Sequence, residues 1–230
     1  MKPVLDWIFE RTGIDRVWEA LMERHIPEAE GSVSWLYTLG SAAMFVFTVQ
    51  AVTGALLAMN YVPSPDHAYD SVKFIGDKVI LGGFIRGLHH WGASFMVVIV
   101  VLHFMRTYFM GAYKYPREGT WMVGIALLGV VIGFGFTGYL LPWDQKAYWA
   151  TMVGTNIAGQ TPFVGPIISK ILKGGVDMGA ATLTRFYAIH VLILPAIIGI
   201  LIGAHLFLVV WHGISEPPQR AKPSDGQEKP

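Results

Sequence analysis

Two histidines, His89 and His103, stand fourteen residues apart in a stretch from Phe84 to Met110 that is otherwise apolar enough and long enough to cross a bilayer. Fourteen residues are close to four helical turns, which puts both imidazoles on one face, about 21 Å apart along the axis. An ionisable side chain in a membrane helix marks a functional site by default. Two on one face, near opposite ends of a span, ask for two sites at two depths. His190 and His205, fifteen residues apart, repeat the pattern in a later apolar stretch.

If the two stretches cross in the same direction, His89 pairs in depth with His190, and His103 with His205. A haem iron takes two axial ligands, and imidazole is a usual one. The pattern therefore predicts two bis-histidine haems stacked across a membrane. A single intramembrane histidine more often makes a hydrogen bond or relays a proton, but four in two depth-matched pairs are hard to explain as packing. The glycines add a second match. Gly40 and Gly54 are fourteen apart, as are Gly124 and Gly138. Small residues in membrane helices commonly mark helix–helix contact. Here their interval equals the histidine interval, and glycine also lets a planar group approach a backbone. Arg86, one turn before His89, and Arg106, just past His103, suit the anionic propionates of a haem. Both fit a simple topological anchor equally well.

The elements that must position these residues follow from composition. Hydrophobic residues make up 53% of the 230-residue chain and charged ones 14%, with a net charge of +1, well below the charged share of about 25% in soluble domains. This is the profile of an all-α integral membrane protein. No basic patch suggests a nucleic-acid partner. The chain has no cysteine, which excludes disulfides, iron–sulfur ligation and thioether-bound haem within it. The N-terminus lacks the continuous apolar run of a signal peptide. Residues 1–33 read as an amphipathic helix at the membrane interface, or one docked on protein. Four spans are expected, at about 34–61, 84–110, 121–141 and 185–212, forming a four-helix bundle with its cofactors in the core. The 40 residues from Trp143 to Thr184 are expected to form short surface helices, and 213–230 a polar tail. The short basic loop Gly111 to Thr120 places itself and both termini on the cytoplasmic side by the positive-inside rule; ten Lys/Arg fall on that side and seven on the other.

The runs R-G-L-H-H-W-G-A-S at 86–94, G-F-T-G-Y-L-L-P-W-D at 135–144 and T-L-T-R-F-Y-A-I-H at 182–190 resemble cytochrome b of the quinol-oxidising cytochrome bc complexes. The resemblance covers about residues 30–216. The four-span length and the His190–His205 interval resemble the short split form, as in the cytochrome b6f complex and the related bacterial menaquinol complexes. It implies that His89 and His190 hold a haem iron on the positive side, that His103 and His205 hold one on the negative side, and that Arg86 and Arg106 serve the propionates. It also implies that Pro142, Trp143, Tyr148 and Trp149 line part of a quinol-oxidation pocket.

Two departures from the split form stand out. Aligning W-L-Y-T-L-G-S at 35–41 puts Thr38 where the family has the cysteine of a covalent third haem, and Val210 where it has an arginine near that haem. The covalent third haem is expected to be absent and the quinone-reduction pocket remodelled. Glu23 and His212 are the candidates for proton relay there, although an exposed interfacial role is commoner for such residues. His25, His67 and His90 have no depth-matched partner. The family's Pro-Glu-Trp-Tyr segment does not occur in the chain, so a second subunit must supply it, with a Rieske iron–sulfur protein, a c-type cytochrome and a dimeric complex as further implied partners. The expected role is an electron-transfer subunit carrying electrons from a quinol-oxidation site to a quinone-reduction site, coupled to proton translocation, and not a complete enzyme by itself. Driving a charge against about 100 mV costs roughly 2.3 kcal/mol, so the negative-side haem must have the higher potential. Two other readings fit the same residues: a dihaem anchor linking the quinone pool to a non-Rieske oxidoreductase, and a haem-free transporter with buried histidines.

Overall fold

The computed structural model describes residues 31–215. The expected interfacial helix falls almost wholly outside that range, as do Glu23, His25 and the tail beyond Ser215. The described residues are helical with no strand. Four helices are long and apolar enough to cross a membrane: Trp35–Ala58, Gly82–Phe109, Glu118–Leu140 and Ala180–His212, of 24, 28, 23 and 33 residues. At about 1.5 Å per residue even the shortest exceeds a hydrocarbon core of about 30 Å.

The first span opens as a 3-10 segment, Gly31–Thr38, and continues as α1, Leu39–Ala58. Pro63 and Pro65 prevent its extension. A short helix, α2 (Ala68–Lys78), buries Ala68, Ser71 and Ile75, a three-and-four spacing that gives one covered stripe. It packs on the start of α3, Gly82–Phe109. The chain then turns at Gly111, in the left-handed region at φ 65°, and enters α4, Glu118–Leu140, with Glu118 favourably placed at its N-terminal dipole. α1 packs chiefly on α3, and α4 on the last span.

Beyond α4 lie the expected short helices. Asp144 caps α5 (Gln145–Gly159), its Oδ1 accepting from the Ala147 N–H at 2.8 Å. α6 (Gly165–Lys173) ends at Gly174, φ 78°. The last span starts earlier than its sequence suggests, at Ala180 rather than Arg185. Its first part, α7 (Ala180–Ala188), buries Thr182, Leu183 and Phe186 completely. Its polar residues do not end the helix because each finds a partner. Thr182 Oγ1 donates to the Lys173 carbonyl and accepts from the Gly179 N–H, and Thr184 Oγ1 donates to the Ala180 carbonyl. The Arg185 guanidinium donates to the Ile171 carbonyl, tying α7 to α6.

A five-residue π-helical segment, Ile189–Ile193, joins α7 to α8, Leu194–His212. Pro195 explains its place: proline has no N–H for the carbonyl four residues back, and its ring crowds that carbonyl.

Two cores result. Ala68, Leu140, Leu183 and Phe186 close one end of the bundle, with Tyr61, Leu141 and Trp143 packed against them. Tyr61 donates to the Leu141 carbonyl at 2.7 Å, linking the chain after α1 to the end of α4. The second core, around Met96, Val131 and Ile198, lies midway along the spans.

A candidate dihaem site in the bundle

α3 and the π segment bring His89 and His190 opposite each other, with ring centroids 6.4 Å apart and ring planes inclined at 75°. A first-row metal bound to one nitrogen of each imidazole, with bonds of about 2 Å, separates the ring centres by about 6.3 Å. The gap is one metal atom wide. Each ring lies against a glycine of a neighbouring helix. A Cβ at Gly54 would fall 3.0 Å from His89 Cε1, and one at Gly138 would fall 2.7 Å from His190 Cε1. Any larger residue displaces the ring.

The rings at the other level also lie against glycines. A Cβ at Gly40 would meet His103 Cε1 at 3.3 Å, and one at Gly124 would meet His205 Cε1 at 3.5 Å. His103 lies within electrostatic reach of His205 and Arg106. Between the levels sits the second core. Phe47 is seven residues from both Gly40 and Gly54, Met96 seven from both His89 and His103, and Val131 seven from both Gly124 and Gly138. Each helix thus presents a cleared or ligating position, an apolar plug two turns on, and a second such position two turns further.

Ile198 fills the same layer but is eight residues from His190 and seven from His205. The extra residue falls in the half that contains Ile189–Ile193. A π turn accommodates one residue more than an α turn. It absorbs the difference between the fourteen- and fifteen-residue intervals and returns His190 to the inward face.

The hydrogen bonds to the two pairs differ. Thr53 Oγ1 lies 2.9 Å from His89 Nδ1 and also donates to the Val49 carbonyl at 2.6 Å. Thr137 Oγ1 lies 3.0 Å from His190 Nδ1 and donates to the Gly133 carbonyl at 2.8 Å. His103 Nδ1 and His205 Nδ1 are buried with no hydrogen-bond partner among the described residues. His205 lies near the Thr120 carbonyl without reaching hydrogen-bonding geometry. Phe134 packs edge-on against the His190 ring at 5.4 Å. Sequence reasoning passed over Thr53 and Thr137. The signal was present, since each immediately precedes a ring-facing glycine.

The residues present fit a b-type haem at each level: two buried imidazoles, walls cleared of side chains and an apolar surround. Arg106 adds a fourth feature. It is 9% exposed, its guanidinium lies 4.1 Å from the Tyr37 ring centre, and its Nε has no hydrogen-bond partner among the described residues. A buried guanidinium with an unused donor suits an anionic group.

The chain was compared with known proteins on this basis. The family model described as cytochrome b/b6/petB matches residues 25–213. The chain belongs to the cytochrome b/b6 family. It is 43% identical over 222 residues to the menaquinol:cytochrome c reductase cytochrome b subunit of Bacillus subtilis, covering 94% of this chain and 99% of that one. It is 42% identical over 215 residues to the cytochrome b6 of Heliobacterium mobile, covering 93% and 100%. A solved chain titled hyperthermophilic respiratory Complex III superposes with a TM-score of 0.83 at 33% identity, covering 97% of this chain. The present chain spans 59% of that solved chain.

Membership of the cytochrome b/b6 family implies b-type haem, and the family is one of integral membrane proteins. The remaining candidates fall into separate groups. Arg86 is exposed and lines an open cleft of about 300 Å³ with Tyr69, Lys73, Asp77, Pro142 and Asp144. Trp143 sits at the corner after Pro142 with φ 51°, a left-handed conformation that costs a non-glycine residue about 1–3 kcal/mol. Its ring packs edge-on to Tyr148 at 5.5 Å, and Tyr148 to Trp149 at 5.2 Å. Sequence reasoning placed these aromatics on one segment, but the strained corner that groups them has no local signature. Thr38 is exposed, with its hydroxyl donating to the Trp35 carbonyl. His212 Nδ1 is buried without a hydrogen-bond partner among the described residues. His90 packs edge-on against Trp91, and His67 stands at the start of α2.

Proposed function

We propose that this chain is the cytochrome b subunit of a cytochrome bc (b6f-like) quinol oxidoreductase, holding two non-covalent b haems and no covalent third haem. The observation that carries the reading is the His89–His190 pair at 6.4 Å between glycine-cleared walls, with glycine walls again against His103 and His205 one bundle level away. The relatives' printed names support it, one of them a menaquinol:cytochrome c reductase subunit.

When bound, the haems supply reversible one-electron transfer across the membrane. The protein's part is positional. His89 and His190 would hold the positive-side iron, and His103 and His205 the negative-side iron. Gly54, Gly138, Gly40 and Gly124 keep the walls clear. Arg106 offers its unused donor to a carboxylate at the negative-side level, and Arg86 lies in reach of the cleft at the other end. The Phe47, Met96, Val131 and Ile198 layer excludes water between the levels.

Pro142, Trp143, Tyr148 and Trp149 supply one wall of a quinol pocket. Asp144 is the acid of that wall, but its carboxylate is engaged in capping α5. The sequence contains no Pro-Glu-Trp-Tyr segment, and a partner subunit carrying it would supply the proton acceptor for quinol oxidation. A Rieske iron–sulfur protein and a c-type cytochrome complete the electron path, and the complex is a dimer embedded in lipid. Both termini face the cytoplasmic side. Glu23, which lies outside the described residues, and His212 are the candidates for proton relay at the negative-side quinone pocket.

Purifying the intact complex tests this reading. Two non-covalent b haems per chain and a co-purifying Rieske protein are expected. A reduced-minus-oxidised spectrum without b-type absorption overturns it, and a haem bound covalently to this chain overturns the assignment at Thr38.

A further inference from the structure

The two histidine pairs share glycine walls and an apolar plug, yet only one pair is hydrogen-bonded to hydroxyls. Each of those threonines has one proton. At Thr53 it is committed to the Val49 carbonyl at 2.6 Å, and at Thr137 to the Gly133 carbonyl at 2.8 Å. A carbonyl can only accept. Towards Nδ1 of His89 and His190 the threonine oxygens must therefore accept, so Nδ1 carries the proton and the lone pair is left on Nε2. Leu39 and Val123 occupy the corresponding positions before Gly40 and Gly124, and neither can make such a bond.

We propose that Thr53 and Thr137 are positioning residues that fix the Nδ1–H tautomer of His89 and His190, and through it hold the reduction potential of the positive-side haem below that of the other. This rests on the dihaem reading above. An acceptor on the distal N–H of a ligating imidazole raises the ring's basicity, which favours the ferric state and lowers the potential. Hydroxyl acceptors on both rings at one level, and no ring nitrogen in hydrogen-bonding geometry at the other, set a downhill direction from the His89/His190 level to the His103/His205 level.

The experiment is a potentiometric titration of the intact complex, with absorption and low-temperature EPR read at each potential. T53V and T137V keep the side-chain shape and remove the hydroxyl. Each is expected to raise the midpoint of the lower-potential b haem alone by about threefold to tenfold in its reduction equilibrium, tenfold being about 59 mV for a one-electron couple. The EPR signal of the same haem should shift with it. T53S and T137S, which keep the hydroxyl, are expected to stay at the parent values. The reverse substitution, V123T, introduces the bond at the other level and is expected to lower the higher midpoint. It decides the matter even where a valine variant does not assemble. Valine variants within twofold of the parent, equal shifts in both haems, serine variants matching valine ones, or a V123T midpoint that stays put would each overturn the proposal. A parent complex without two b haems overturns the dihaem reading instead, and is seen before any variant is made.

Discussion

The glycine walls make a graded prediction. A Cβ at Gly138 would lie 2.7 Å from His190 Cε1, whereas one at Gly124 would lie 3.5 Å from His205 Cε1. The first is a clash and the second an ordinary contact. Relieving the clash in Gly138→Ala needs a movement of about 0.7 Å to regain van der Waals distance. The His190 ring is held within the protein by one hydrogen bond, to Thr137 at 3.0 Å, and by the Phe134 edge, contacts it can give up. In a chain without haem the ring can swing aside, but in a loaded chain the iron bond forbids it, so the cost falls on haem binding. Overpacking of this kind costs about 1–3 kcal/mol, or roughly 5- to 150-fold in affinity at 1.4 kcal/mol per tenfold. Alanine improves helix propensity by about 1 kcal/mol at either glycine, so comparing Gly138→Ala with Gly124→Ala cancels that gain. The assay is retained b haem per chain after challenge with a haem scavenger, by reduced-minus-oxidised absorption. Gly138→Ala should lose one haem selectively while Gly124→Ala keeps both. Equal retention by the two variants refutes the reasoning.

His103→Ala should remove one b haem and leave the other's spectrum intact; loss of neither breaks the ligand assignment. Deleting Leu192 takes the residue that the π segment absorbs. It should shorten that segment to an α turn and preserve both haems, whereas deleting Val101 from the uninterrupted α3 should abolish haem binding at one level, with haem counting as the readout for both. Arg106→Gln removes the buried guanidinium and should weaken retention of the haem that His103→Ala removes, measured by scavenger challenge. Tyr61→Phe should lower stability by about 0.5–1.5 kcal/mol through loss of the bond to Leu141, read as Tm in detergent. Burial, and then the neighbouring Tyr187, push the Tyr61 phenol above its ordinary range. The Tyr61 contribution should be constant below the ordinary tyrosine pKa of about 10 and shrink only as pH rises beyond it.

The intervals between histidines and between glycines were legible because a helix converts sequence spacing directly into depth. Uncharged runs of nineteen residues or more made the spans legible for the same reason. The start of the last span was not, because Thr182 and Thr184 read as loop residues until their partners Lys173 and Ala180 are known. Nor was the π segment, since Pro195 alone predicts a kink without saying how many residues the kink absorbs. The Thr53 and Thr137 bonds join elements 36 and 53 residues apart, a separation no local pattern encodes. Arg86 and Arg106 looked equivalent by spacing. The fold separates them, leaving Arg86 exposed in a cleft and burying Arg106 against Tyr37.

If the chain holds two haems as proposed, that separation bears on the direction of electron flow. The scaffold repeats itself at a seven-residue register, so helix geometry alone makes the two levels nearly equivalent. Moving an electron from one to the other against about 100 mV requires roughly 2.3 kcal/mol per charge, and a symmetric scaffold supplies none of it. The difference must come from what surrounds each pair. A buried positive charge stabilises the reduced, less positive iron, and Arg106 lies within electrostatic reach of His103. Its counterpart Arg86 is exposed, where solvent and salt screen it. The hydroxyl acceptors are at the opposite level, on His89 and His190, where they would stabilise an oxidised iron. The two devices act on different levels and push the same way. A single mutation should therefore reduce the potential gap without closing it, and closing it requires changing Arg106 and the two threonines together.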